Sequence, residues 1–165
     1  MAPTITLYTA PPWAHRAQIA LRELDMEFET ILIDITVPRT LEYLAINPQG
    51  LVPALVYDGH VLTESGPITQ FFVDSHPSHI LESSAEPSGA LQRYNIGFFV
   101  DTYFGNVQPF FDAAVLSSGE QEITATNKYI NAIVKNIEPL LADAAPFLGG
   151  SSRLTLAEAY ISLVS

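Results

Sequence analysis

The 165-residue sequence contains no cysteine. That excludes disulfides, thiolate metal sites, a cysteine nucleophile and any redox cycle through a protein mixed disulfide. Basic residues are scarce, with 7 Lys+Arg against 18 Asp+Glu and a formal net charge of −11. Residues 1–80 hold 3 basic and 9 acidic residues, and residues 81–165 hold 4 and 9, so the acidity is even and no basic stripe exists. The electrostatic term that supports nucleic-acid or anionic-membrane binding is therefore missing. Apolar runs break well short of the ~18 residues of a membrane-crossing helix. Residues 1–15 lack a basic n-region and an apolar h-region, so no signal peptide is expected and the cytoplasm is the expected compartment.

What is present is a hydrophobic, aromatic chain, 48% apolar and 10% Phe, Trp and Tyr, which excludes intrinsic disorder. Its first 80 residues alternate strand and helix patterns. Thr4-Ile-Thr-Leu-Tyr8 reads as a strand that ends at Pro11-Pro12. Ala17, Ala20, Leu21 and Leu24 recur with helical spacing and predict a helix over 14–24. Residues 28–35 form a second strand, and its Ile31–Ile33 centre predicts burial on both faces. A short helix begins near Pro38, with Leu41, Leu44 and Ala45 on one face. Asn47-Pro48-Gln49-Gly50 is a turn, and Asp58-Gly59 is a type I′ hairpin signature between strands at 54–57 and 60–63. Ser65-Gly66-Pro67 opens a helix to about Asp74, with Pro67 at its first position. The order β-α-β-α-β-β-α implies a parallel first pair and an antiparallel last pair.

Residues 76–89 are polar and proline-bearing, and the remainder is helical. Aromatic residues crowd 91–115, where Pro109 predicts a kink or break. Residues 123–142 carry Ile130, Ile133, Val134, Ile137 and Leu141 on one stripe. Thr155-Leu-Ala-Glu158 is a capping box that opens a last helix. The expected organisation is an α/β domain at 1–78, a linker at 79–90 and an all-α domain at 91–165. His15, His60, His76 and His79 show no metal-ligand spacing, and His76 and His79 are expected in solvent.

Four segments give the chain a family resemblance. Asn47-Pro-Gln-Gly-Leu-Val-Pro53-Ala-Leu, Leu62-Thr-Glu-Ser65-Gly-Pro-Ile68, Phe147-Leu-Gly-Gly with Leu154-Thr-Leu-Ala-Glu158, and Leu7-Tyr8 with Pro12-Trp-Ala-His-Arg16 occur in order. Together they resemble the glutathione S-transferase superfamily, the last with an omega-type pattern. The resemblance implies an α/β thioredoxin-like N-terminal domain, β-α-β-α-β-β-α, followed by an all-α C-terminal domain. It implies glutathione as co-substrate, no metal, a hydrophobic electrophile as second substrate, and a homodimer.

By the same resemblance, the Val52-Pro53 bond is cis and lies beside the bound tripeptide, which pairs with the Val52 backbone. Ser65 takes the γ-glutamyl carboxylate and Glu64 the amine. Pro12, Trp13, Tyr103 and Phe104 are candidates for an apolar acceptor pocket at the domain interface.

Three departures stand against the family pattern. Pro11 occupies the position of the thiolate-stabilising Cys or Ser, which leaves Tyr8 or Thr9 as the nearby hydroxyl donor. Leu51 stands where relatives carry Lys for the glycyl carboxylate, a charge that Arg39 can supply from another direction. The chain ends at Ser165 where relatives continue with further helices, and an incomplete C-terminal domain with exposed apolar faces is expected to self-associate. Two readings follow. One is a glutathione-dependent transferase or isomerase; the other is a non-catalytic transferase-fold module for dimerisation or scaffolding.

Overall fold

A computed structural model describes residues 3–10 and 14–162. The chain divides into two units, Met1–Ile80 with Ser162–Ser165, and Leu81–Ile161. The first unit contains β1 (Ile5–Thr9), α1 (His15–Glu23), β2 (Glu29–Leu32), α2 (Leu41–Ile46), β3 (Ala54–Tyr57), β4 (His60–Thr63) and α3 (Ser65–Ser75). Its sheet has the order β2-β1-β3-β4. β1 runs parallel to β2 and antiparallel to β3, and β3 and β4 form the hairpin. Asp58 and Gly59 both take positive φ, 46° and 82°, as a type I′ turn requires.

Alternation along β1 organises this unit. Ile5 and Leu7 join Ala17 and Leu21 of α1, Leu55 of β3, and Ile68 and Phe72 of α3 in one buried cluster. Tyr8 has the opposite parity, and its ring meets Tyr43 of α2 with centroids 5.6 Å apart. Helices therefore lie on both faces of the sheet.

Several boundaries differ from expectation for identifiable reasons. β2 is four residues long and mostly exposed, with Leu32 73% accessible, not buried on both faces. It is the edge of the sheet, and just beyond it Thr36 N–H and Oγ1 donate to Asp34 Oδ1 at 2.8 and 2.6 Å, folding the chain into a turn. α2 begins at Leu41 because Thr40, not Pro38, caps it by accepting from Tyr43 N–H at 3.2 Å. In α3 the N-cap is Glu64, so Pro67 sits later in the first turn than predicted, still where no N–H is needed.

The second unit holds α4 (Pro87–Asn106), α5 (Gln108–Val115), α6 (Glu120–Asn136), two 3₁₀ turns at Glu138–Leu141 and Leu148–Gly150, and α7 (Leu156–Ile161). α4 starts at Pro87, not Leu91, with proline in its first turn. The break expected from Pro109 falls at Val107, which places the proline in the first turn of α5. α6 stops at Asn136 and passes into the Glu138–Leu141 turn instead of running to Ala142. α4 packs against α5, α6 and α7, and α5 packs against α6. The aromatic set is less buried than a core would be: Phe99 and Tyr103 are buried, while Tyr94, Phe98 and Phe110 are exposed.

α7 is held by the capping box. The Glu158 carboxylate accepts from Thr155 N–H at 2.8 Å, from Thr155 Oγ1 at 2.6 Å and from Leu148 N–H at 2.9 Å. Thr155 Oγ1 in turn accepts from Ala157 N–H at 3.2 Å. No helix among the described residues is long and apolar enough to cross a membrane.

Two predictions follow from these contacts. Glu158→Ala leaves the Thr155 and Leu148 amides without their acceptor and should cost about 1–3 kcal/mol, read as a lowered urea midpoint at unchanged m-value. The hydrogen bonds from Thr36, helped by the Arg39 charge, hold the Asp34 carboxyl below its ordinary value of 3.8. Its contribution is therefore complete above that value and is lost as pH falls through the lower folded-state value. The stability difference between wild type and Asp34→Asn should vanish in strong acid and be constant near neutrality.

Candidate functional site

Strand register collects the candidate residues at one end of the sheet. Tyr8 pairs with Ala54, and Ala54 pairs with Thr63. The C-terminal end of β1 (Tyr8, Thr9) thus lies beside the start of β3, preceded by Val52 and Pro53. It also shares that end with the close of β4, followed by Glu64 and Ser65. Six of the predicted site residues share this edge.

The two hydroxyl candidates point to opposite faces. Thr9 follows the parity of Ile5 and Leu7 and is buried on the α1 and α3 side. Tyr8 is half-buried on the α2 side.

The loop from α2 into β3 is fixed atom by atom. Asn47 N–H donates to the Tyr43 carbonyl at 2.8 Å and Gly50 N–H to the Asn47 carbonyl at 2.9 Å, closing the turn. Gly50 has φ +66°, and a Cβ there would stand 3.1 Å from the Arg39 side chain, so the position demands glycine. Arg39 Nε donates to the Gly50 carbonyl at 2.8 Å, and Nη1 donates to the Val37 and Asp34 carbonyls at 2.8 and 3.0 Å. The Leu51 carbonyl accepts from both Asn47 Nδ2, at 2.8 Å, and the Tyr43 hydroxyl. The Leu51 side chain faces outward. The Val52-Pro53 peptide bond is cis, and among the described residues no hydrogen bond engages the Val52 N–H or C=O.

Glu64 has φ +68° and ψ 123°, a conformation that a non-glycine residue adopts only where its surroundings impose it. It is the N-cap residue of α3, and its own side chain makes no capping bond among the described residues. The positive end of the α3 dipole there favours an anion.

The other predicted residues lie elsewhere. Tyr103 and Phe104 are on α4 in the second unit, edge-on with centroids 5.3 Å apart. Pro11, Pro12 and Trp13 lie outside the described residues. The expectation that His76 and His79 are in solvent does not hold. Both are half-buried; His79 Nε2 stands 3.0 Å from the Glu23 carboxylate, and His76 packs on Phe72. Sequence reasoning missed Tyr43 and the pair of hydrogen bonds, from Tyr43 and Asn47, that the Leu51 carbonyl accepts. The Asn47-Pro48 turn was the only signal that pointed near them.

Comparison with known proteins places this geometry. A family model, Glutathione S-transferase, N-terminal domain, matches residues 11–75. Glutathione S-transferase U22 of Arabidopsis thaliana is 33% identical over 144 residues, 86% of this chain and 62% of the relative. Probable maleylacetoacetate isomerase 1 of Drosophila melanogaster is 24% identical over 151 residues, 88% of this chain and 60% of the relative. The chain thus spans about 60% of the length of these relatives. The crystal structure of rice GST1 in complex with glutathione superposes with a TM-score of 0.79 at 22% identity, over 97% of this chain and 72% of that one. Sheet order and these likenesses agree: residues 11–75 belong to a glutathione S-transferase N-terminal domain, and the chain has the glutathione S-transferase fold.

Proposed function

We propose that the protein binds glutathione at this sheet end and uses its thiolate to conjugate or isomerise a hydrophobic electrophile. One observation carries the reading. Among the described residues the Val52 N–H and C=O make no hydrogen bond, the neighbouring Leu51 carbonyl is held by two donors, and this edge shares its end of the sheet with the start of α3. An extended tripeptide can pair with Val52 N–H and C=O as an added strand does. Pro53 fixes the direction of that edge. The γ-glutamyl carboxylate of the tripeptide meets Ser65 at the positive end of the α3 dipole, and its amine meets the Glu64 carboxylate.

Tyr8 is the better donor to the thiolate, because Thr9 is turned into the α1 and α3 core. A phenol that donates to the sulfur favours its charged form and lowers the thiol pKa. The thiolate then attacks the electrophile. In a conjugation the sulfur–carbon bond persists, the electron pair of the attacked carbon leaving with a leaving group or, where a C=C bond is opened, taking up a proton from water. In an isomerisation the opened C=C bond rotates and re-forms as the sulfur–carbon bond breaks and the thiolate departs. Arg39 contributes positive charge toward the glycyl carboxylate. Its Nε and Nη1 are bonded to backbone carbonyls, which makes it first a support of the loop.

A second reading, a non-catalytic module for dimerisation or scaffolding, draws on two observations. Pro11 carries no donor where a Cys or Ser would stand, and Leu91, Tyr94 and Phe98 leave an exposed apolar stripe along α4. It predicts a dimer by light scattering without thiol-dependent turnover.

The test is retention on immobilised glutathione followed by turnover of a generic electrophile. Glu64→Ala with Ser65→Ala removes two charge-assisted contacts and should weaken binding by at least about tenfold. Tyr8→Phe should cut kcat by about tenfold or more while binding holds. Wild-type protein that is not retained, or a double variant that binds as well as wild type, would show the reading to be wrong.

A further inference from the structure

The loop that presents the Val52 backbone is not part of any helix or strand, so its shape depends on the side chains that grip it. Arg39 and Asn47 each hold one carbonyl of it, Gly50 and Leu51 respectively. Tyr43 also holds Leu51, and with two donors that carbonyl has both lone pairs engaged. Tyr43 does something more. Its ring lies against Tyr8 at 5.6 Å between centroids, so one buried side chain touches both the ligand-facing loop and the proposed thiolate donor. Burial raises the Tyr43 phenol above its ordinary value of 10.0, which keeps the hydroxyl a donor at neutral and mildly alkaline pH.

We propose that Tyr43 is a positioning residue of this site, its hydroxyl setting the 50–53 backbone and its ring setting the Tyr8 phenol. The proposal rests on the glutathione reading above. It separates two roles of one side chain, and two substitutions take them apart. Tyr43→Phe keeps the ring and removes one of the two donors on Leu51, so the loop loosens while Tyr8 stays in place. Tyr43→Leu removes the ring as well.

The expected result for Tyr43→Phe is a glutathione Kd and KM raised about three- to tenfold, with kcat within about twofold of wild type. Its pH–rate profile should not move, because Tyr8 still faces the sulfur. Tyr43→Leu should lower kcat in addition and shift the profile to higher pH, since a misplaced Tyr8 stabilises the thiolate less. A purely structural role would instead lower Tm in both variants without this division. Amide hydrogen exchange over 50–52 in the ligand-free protein should be faster in Tyr43→Phe at nearly unchanged Tm.

Wild-type protein that does not bind glutathione overturns the reading on which the proposal stands. Wild-type protein that binds, with a Tyr43→Phe variant that binds equally well, overturns the role of Tyr43 alone, whatever its exchange rate.

Discussion

β1 is hydrogen-bonded on both edges, parallel to β2 and antiparallel to β3, and the rest of the first unit depends on that pairing. A strand paired on two sides cannot slip by one residue without turning Ile5, Leu7 and Thr9 out of the α1 and α3 core. The same parity commits Tyr8 to the other face, against Tyr43. The register with β3 brings Ala54 beside Tyr8, and the hairpin brings Thr63 beside Ala54. Hydrophobic burial on one face thereby sets the position of a polar group on the other.

The elements of this unit were legible in the sequence because their signals are local. Asp58-Gly59 demands two positive φ values, and Thr155 with Glu158 matches a reciprocal capping pattern. The failures share a cause, which is that exposure is a property of neighbours. Ile31 and Ile33 look like the centre of a doubly covered strand, yet β2 lies at the sheet edge and has one partner. Tyr94 and Phe98 look like core residues of a helix, yet they stand exposed and stacked on each other at 6.2 Å. His79 was expected in solvent because its partner, Glu23, is distant in sequence.

The site itself was half legible. The family resemblance singled out Val52, Pro53, Glu64 and Ser65, and it could do so because a turn and a helix start leave local motifs. It left Tyr8 and Thr9 as alternatives, and strand parity puts the two on opposite faces of the sheet. It offered Arg39 as a charge for the glycyl carboxylate, and the structure adds a second role, since Nε and Nη1 bond three backbone carbonyls. Tyr43 went unremarked, because an aromatic residue in a short helix has no signature that distinguishes a carbonyl donor from a packing residue.

These particulars explain how a site can keep its shape while familiar side chains are absent. In the proposed reading its principal main-chain surface is the Val52 amide and carbonyl, set beside the start of α3. Main-chain groups cannot be substituted, only misplaced, so the sequence constraint moves to the residues that place them. Gly50 is required for its positive φ, Asn47 for two hydrogen bonds and Arg39 for three. Leu51, by contrast, contributes a carbonyl held inward and a side chain held outward, so its side-chain identity has no part in the shape of the loop. A change from a charged residue to leucine there alters what the loop offers a ligand's carboxylate but not where the loop lies. Side chains that touch a ligand and side chains that hold the backbone touching it thus fall on different positions.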